Sequence, residues 1–175
     1  MSTTTQSASF GCDSLHERRG ELVQIGALIP ALLGVLKAVP AGDVVVLHGC
    51  CHNPTGIDPT AAQWELIADA VSEAGALPLL DFAYQGFADG LDEDAKGLRA
   101  LLARERTMLV ASSFSKNFAL YDERVGALSI VGGTADETAA LLSHAKAAIR
   151  SNYSNPPAHG GEIVATVLAD AALRK

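Results

Sequence analysis

The chain has 175 residues, 49% of them hydrophobic and 19% charged, which supplies one cored domain and is too apolar for a disordered or collagen-like chain. Thirteen Lys and Arg against twenty Asp and Glu leave a formal charge of −7, so the broad basic field that nucleic acid requires is excluded, whereas a phosphorylated small molecule needs only one or two local cations. The three cysteines, Cys12, Cys50 and Cys51, are odd in number and include one adjacent pair, a pattern of the reducing cytoplasm rather than of a disulfide scaffold.

Residues 1–9 form a Ser/Thr-rich tail with no periodicity. The apolar run 22–36 is interrupted by Gln24, Gly26, Pro30 and Gly34 and is shorter than the ~20 residues that span a bilayer. Arg18-Arg19 ahead of it would suit a secretory signal, but no clean small-x-small cleavage site follows, so a buried helix is the better reading. Residues 28–39 read as that helix, and Pro40-Ala41-Gly42-Asp43 breaks it. The β-branched run 44–47 reads as a strand buried on both faces. After the turn Asn53-Pro54-Thr55-Gly56, Asp58-Pro59 is expected to start a helix over 60–74, with Trp64, Ile67 or Ala68, and Val71 on one stripe and Gly75 closing it. A strand over 77–82, a Gly-punctuated loop over 84–91, a helix over 92–105 opened by acidic residues and a strand over 107–111 follow. The last expected elements are a strand over 125–131 and an amphipathic helix over 135–150 carrying Leu141, Leu142, Ala145, Ala148 and Ile149.

Strands alternating with helices predict an α/β fold with a mostly parallel, doubly wound sheet, without internal repeats or an evident linker. Ligands in such sheets sit at the carboxyl ends of the strands. There the sequence places His48, Asn53 and their loop, then Asp81 and Tyr84, then Ser113, Ser115 and Lys116. Singly, each has an ordinary structural reading: a strand-end Asp as a helix cap, a Lys or Arg as solvated surface charge.

Their order and spacing are more specific. His48-Gly-Cys-Cys-His-Asn-Pro-Thr-Gly56, then Asp81-Phe-Ala-Tyr84, then Ser113-Phe-Ser-Lys116, then Arg124 resembles the aspartate/aromatic branch of the class I, fold-type I aminotransferases, which use pyridoxal 5′-phosphate. The resemblance runs from about Ala31 to Lys175. It implies a three-layer α/β/α large domain and transamination of dicarboxylic or aromatic L-amino acids with a 2-oxo acid acceptor. It also implies that Lys116 attaches the cofactor covalently and then shuttles the substrate α-proton. Asp81 would keep the pyridine nitrogen protonated, Asn53 and Tyr84 would hydrogen-bond the phenolic oxygen, and Ser113, Ser115 and Arg124 would hold the phosphate. Ala83 would leave room for one ring face and His48 would support Asp81. Arg150, in Ala147-Ala-Ile-Arg-Ser-Asn-Tyr153, matches the arginine that recognises the substrate's distal carboxylate and reaches into a neighbouring subunit, so a homodimer is implied.

Other groups carry less. His48, Cys50, Cys51 and His52 lack the C-x2-C spacing of a zinc site, so no metal is expected. Gly132-Gly133 has no third glycine and is not a dinucleotide fingerprint. Trp64 reads as core, and His144 and His159 as surface or capping groups. Residues 1–30 do not resemble the family, and its phosphate turn, ring-stacking aromatic, cross-subunit tyrosine and second domain with the α-carboxylate arginine find no counterpart. The expectation is therefore a partial large domain over 31–175 behind an unrelated or disordered leader over 1–30. The alternative function is that of an inactive, truncated transaminase-like fragment serving only in binding or dimerisation.

Overall fold

The computed structural model describes residues 25–105 and 107–174. Most of the expected leader, and its tail, lie outside the described residues. Helix α1 spans Ile25–Leu36 and is followed by strand β1, Val44–His48. Then come α2, Ala61–Ala74; β2, Leu77–Phe82; a 3₁₀ turn, Glu93–Ala95; and α3, Lys96–Leu102. Strands β3, Met108–Ser113, and β4, Gly126–Val131, complete the sheet, with α4, Ala135–Asn152, and α5, His159–Ala169, after it.

The sheet order is β1-β2-β3-β4, the first three strands parallel and β4 antiparallel to β3. A mostly parallel sheet is thus observed, but β3 and β4 are joined by the loop 114–125 rather than by a helix, and that connection permits the reversal. Register sets the layers. Val45 faces Pro78, Leu47 faces Leu80 and Leu80 faces Val110, so these residues share one face, all buried. Trp64, Ile67, Ala68 and Val71 of α2, Leu101 of α3 and Leu36 of α1 cover that face. The opposite face carries Val44, Val46, Leu79, Asp81, Ala111 and Leu128, with Val46 51% and Leu128 49% exposed. The β1 run, expected to be buried on both faces, is buried on one only, because no described helix lies over Val44 and Val46.

Helix starts follow side-chain chemistry. The cap of α2 is Thr60, whose hydroxyl accepts from Gln63 N–H while the Gln63 side chain accepts from Thr60 N–H, so Pro59 lies before the cap rather than inside the first turn. Gly75, at φ 64°, closes the helix in the left-handed conformation. The helix expected over 92–105 is shorter, a 3₁₀ turn and then α3, and Arg104 beyond its end pairs with Glu65 at 2.7 Å and with Asp69 of α2. Helix α4 has the expected place but buries none of its residues, and α5 has no counterpart among the expected elements.

Candidate active site

Three loops leave the carboxyl ends of β1, β2 and β3 on the same edge of the sheet. The first, residues 49–60, turns on Gly49, where a Cβ would lie 2.4 Å from the buried Phe82 ring, so the close approach of this loop to β2 requires glycine. Asp58 gathers the loop by accepting from Cys51 N–H and, at 2.9 Å, from His52 N–H. His52 Nδ1 lies 2.7 Å from Thr55 Oγ1, and its ring lies 4.8 Å from that of His48. Burial, followed by the neighbouring His48, lowers the His52 pKa. Asn53 precedes Pro54 through a cis peptide bond and is exposed.

Cys50 is buried, and desolvation pushes its thiol up to about 12, assisted by the charge of Asp94. Among the described residues no three His, Cys, Asp or Glu side chains are placed to share a metal ion.

Asp81 pairs in register with His48 on one side and Ala111 on the other, which places it centrally at the edge of the sheet. It is half-buried and has no ion-pair partner among the described residues. The next loop brings Tyr84, over whose ring the Lys116 ammonium sits at 4.7 Å from the centroid. Lys116 is half-buried and, among the described residues, also without an ion pair. Its loop is built from tight turns: Phe118 N–H donates to Phe114 C=O, Ala119 N–H to Lys116 C=O, and Ser115 N–H to Ser113 Oγ at 3.2 Å.

Ser113 faces Gly126 in register and Phe114 N–H donates to Val125 C=O, so Arg124 returns to the strand end that carries Ser113 and Ser115. Arg124 is exposed, its backbone lies at φ 49°, and among the described residues its guanidinium reaches only the Tyr121 carbonyl at 3.4 Å. Among the described residues, Ala119 at φ 55° and Cys51 at φ 50° are the other non-glycine residues in the left-handed region, and all three lie in loops of this edge. Arg150 stands apart: in the last turn of α4 it is exposed and donates to Ser154 C=O and Oγ. The structure shows no contact joining Arg150 or Asn53 to Lys116.

Sequence reasoning assigned no site role to Asp58, Asp94 or Asn117. Asp58 and Asp94 were attributed to helix starts, and their actual partners are backbone N–H groups of the preceding loops. Asn117 donates to Gln85 C=O at 3.5 Å while its Oδ1 is buried without a partner. Only its place beside Lys116 could have pointed to it. A separate depression at the opposite end of the strands, lined by Gly42, Gly75, Arg104 and Glu105, is far in topology from these loops.

A lysine, an acid and two hydroxyls are presented from neighbouring strand ends of a mostly parallel sheet, the edge at which α/β proteins hold their ligands, and the described helices over one sheet face supply two of the three layers of an α/β/α fold. Residues 22–175 match the family described as aminotransferase class I and II, and the chain belongs to that family. The aspartate aminotransferase of Escherichia coli strain K12 is 59% identical over 144 residues, which are 82% of this chain and 36% of that protein. The tyrosine aminotransferase of Klebsiella pneumoniae is 49% identical over 149 residues, 85% of this chain and 38% of its own. Among solved structures, the aromatic-amino-acid aminotransferase of Burkholderia pseudomallei, covalently bound to pyridoxal phosphate, aligns with a TM-score of 0.81 and 50% identity over 83% of this chain and 37% of that one. The chain therefore spans little more than a third of the relatives it matches.

Proposed function

We propose that residues 31–175 are the cofactor-holding part of an aminotransferase large domain, which binds pyridoxal 5′-phosphate and acts on dicarboxylic or aromatic L-amino acids with a 2-oxo acid acceptor. The observation that carries this reading is the Lys116 ammonium over the Tyr84 ring, at the strand ends where Asp81 has no cationic partner among the described residues. The residues fit the group. A half-buried carboxylate without a described counter-charge suits a pyridinium, and two hydroxyls with a guanidinium suit a phosphate dianion. When bound, pyridoxal phosphate supplies an electron sink for the carbanion left by removal of the α-proton.

Lys116 Nζ would hold the cofactor and then carry that proton. Asp81 would hold the ring nitrogen's proton, and Asn53 and Tyr84 would donate to the phenolic oxygen. Ser113, Ser115 and Arg124 would grip the phosphate, and Arg150 would release Ser154 to take the substrate's distal carboxylate. We place the protein in the cytoplasm, on its free Cys50 and Cys51, and propose a homodimer for the complete assembly. Among the described residues no helix is long and apolar enough to cross a membrane.

The second reading, a binding or dimerisation module without turnover, is favoured by the bare sheet face of Val44, Val46 and Leu128. The two readings separate when the chain, loaded with pyridoxal phosphate, is mixed with aspartate, glutamate or phenylalanine and its visible absorbance followed. Conversion dependent on the amino acid, and lost in Lys116→Ala, supports the enzyme. Cofactor binding with no conversion by any donor supports the module.

A further inference from the structure

Asp94 is fully buried, yet its carboxylate is not spent on the helix it precedes. Its Oδ2 accepts from Gly86 N–H at 2.8 Å and Ala88 N–H at 3.3 Å, and its Oδ1 accepts from Asp89 N–H at 2.8 Å and Gly90 N–H at 3.4 Å. Four backbone donors converge on one anion, so the loop after β2 is wrapped around a carboxylate, as an anion nest would be. Gly86 and Gly90, at φ 97° and 142°, supply the backbone conformations this wrapping needs. Desolvation opposes ionisation, but the four donors together hold the carboxyl below its usual range.

The same loop is gripped from its other side. Phe87 N–H donates to Tyr84 C=O and Gln85 Nε2 to Leu91 C=O, while Asn117, beside Lys116, donates to Gln85 C=O. Tyr84 and Gln85 therefore lie between the Asp94 nest and the Lys116 loop. Around the nest lie Asp89, whose side chain pairs outward with Lys96 at 3.1 Å, Glu93, whose carboxylate lies beside Gly90, and the neutral Cys50 thiol, which the Asp94 charge helps to hold protonated.

We propose that Asp94 is a positioning residue, whose buried carboxylate gathers the backbone of residues 86–90 and thereby sets Tyr84 against Lys116. It touches neither the cofactor nor the substrate. The inference rests on the reading of Lys116 and Tyr84 as the reactive pair, but its geometry can be tested without cofactor.

The experiment uses the full chain and two variants. Asp94→Asn keeps the shape but turns one acceptor into an amide NH₂ facing backbone donors, and Asp89→Asn breaks only the exposed pair with Lys96. Amide exchange at Gly86 and Asp89 and the nuclear Overhauser contact between the Tyr84 ring and the Lys116 ε-methylene are read in each. The expected result is exchange faster by about tenfold or more and loss of the contact in Asp94→Asn, with neither changed in Asp89→Asn. The absorbance–pH profile of the pyridoxal phosphate adduct should shift in Asp94→Asn alone. A Tyr84–Lys116 contact that survives in a folded Asp94→Asn overturns the proposal.

Should that variant unfold, acid titration of the unmodified chain decides. Protection of these amides and the contact must vanish together as the Asp94 carboxyl takes up its proton, and a contact that outlasts protonation overturns the proposal. Absence of any adduct on Lys116 would defeat the cofactor reading while leaving the exchange and contact results to decide the role of Asp94.

Discussion

Asp81 ends an apolar strand with its carboxylate half-buried and, among the described residues, without a counter-charge, which is a costly arrangement unless a cation arrives. Asp81→Asn is therefore expected to leave cofactor binding measurable while slowing α-proton exchange by about 10²-fold or more in any preparation with activity. Isotope exchange followed by NMR checks this, and unchanged exchange would make Asp81 a structural cap. At Cys50 burial dominates: with its thiol pushed up to about 12, only about 10⁻⁴ of it is thiolate at pH 8, so iodoacetamide should leave Cys50 unmodified in the folded chain and label it after denaturation. Rapid labelling of Cys50 under native conditions would contradict this account of the loop. Asn53, Asp81, Tyr84, Ser113, Ser115 and Lys116 could be picked out in the sequence because they lie at or just after the ends of recognisable apolar runs, whereas Arg124, which stands before its strand, was legible only through the family resemblance. Asp58 and Asp94 could not, since a carboxylate before a helix reads as that helix's own cap, and only three-dimensional folding of the preceding loop reveals another set of donors.

At the scale of elements, the apolar runs and the closing Gly75 made the places of β1, β2 and α2 legible, together with the stripe of Trp64, Ile67 or Ala68, and Val71, whereas the open outer face of β1 and the Thr60 cap of α2 were not. The direction of β4 was not legible, because alternation reports faces and not polarity, and the turn-rich loop before it is equally compatible with either sense. Helix α5 was missed because Asn155-Pro156-Pro157 and Gly160-Gly161 read as turn residues, yet Gly160 is used for close packing, its position lying 2.8 Å from the Glu123 Cβ had it carried a Cβ. Two glycines should respond in opposite directions. At Gly97 a Cβ would lie 2.6 Å from the buried Trp64 ring, so Gly97→Ala should destabilise by about 1–3 kcal/mol. At Gly34, exposed within α1 with nothing within 4 Å, Gly34→Ala should stabilise by about 0.5–1 kcal/mol. Urea unfolding of the two variants measures both, and equal signs would contradict the packing of α2 on α3.

For the molecule as a whole, helices α1, α2 and α3 close one face of the sheet, while the other exposes Val44, Val46 and Leu128. Apolar residues on an outer strand promote association between chains. Val46→Lys, 51% exposed in the structure, is expected to change unfolding free energy by less than about 0.5 kcal/mol and to lower concentration-dependent light scattering. A large loss of stability would mean that this face is covered. The central claim, that Lys116 is the cofactor-attaching residue of an aminotransferase domain, is tested most directly by borohydride reduction of the chain with pyridoxal phosphate, followed by peptide mapping. Its position over Tyr84, at the strand ends shared with Asp81, predicts a tag on Lys116 that far exceeds any at Lys37, Lys96, Lys146 or Lys175. A tag spread evenly over all five lysines, or absent from Lys116, would contradict it.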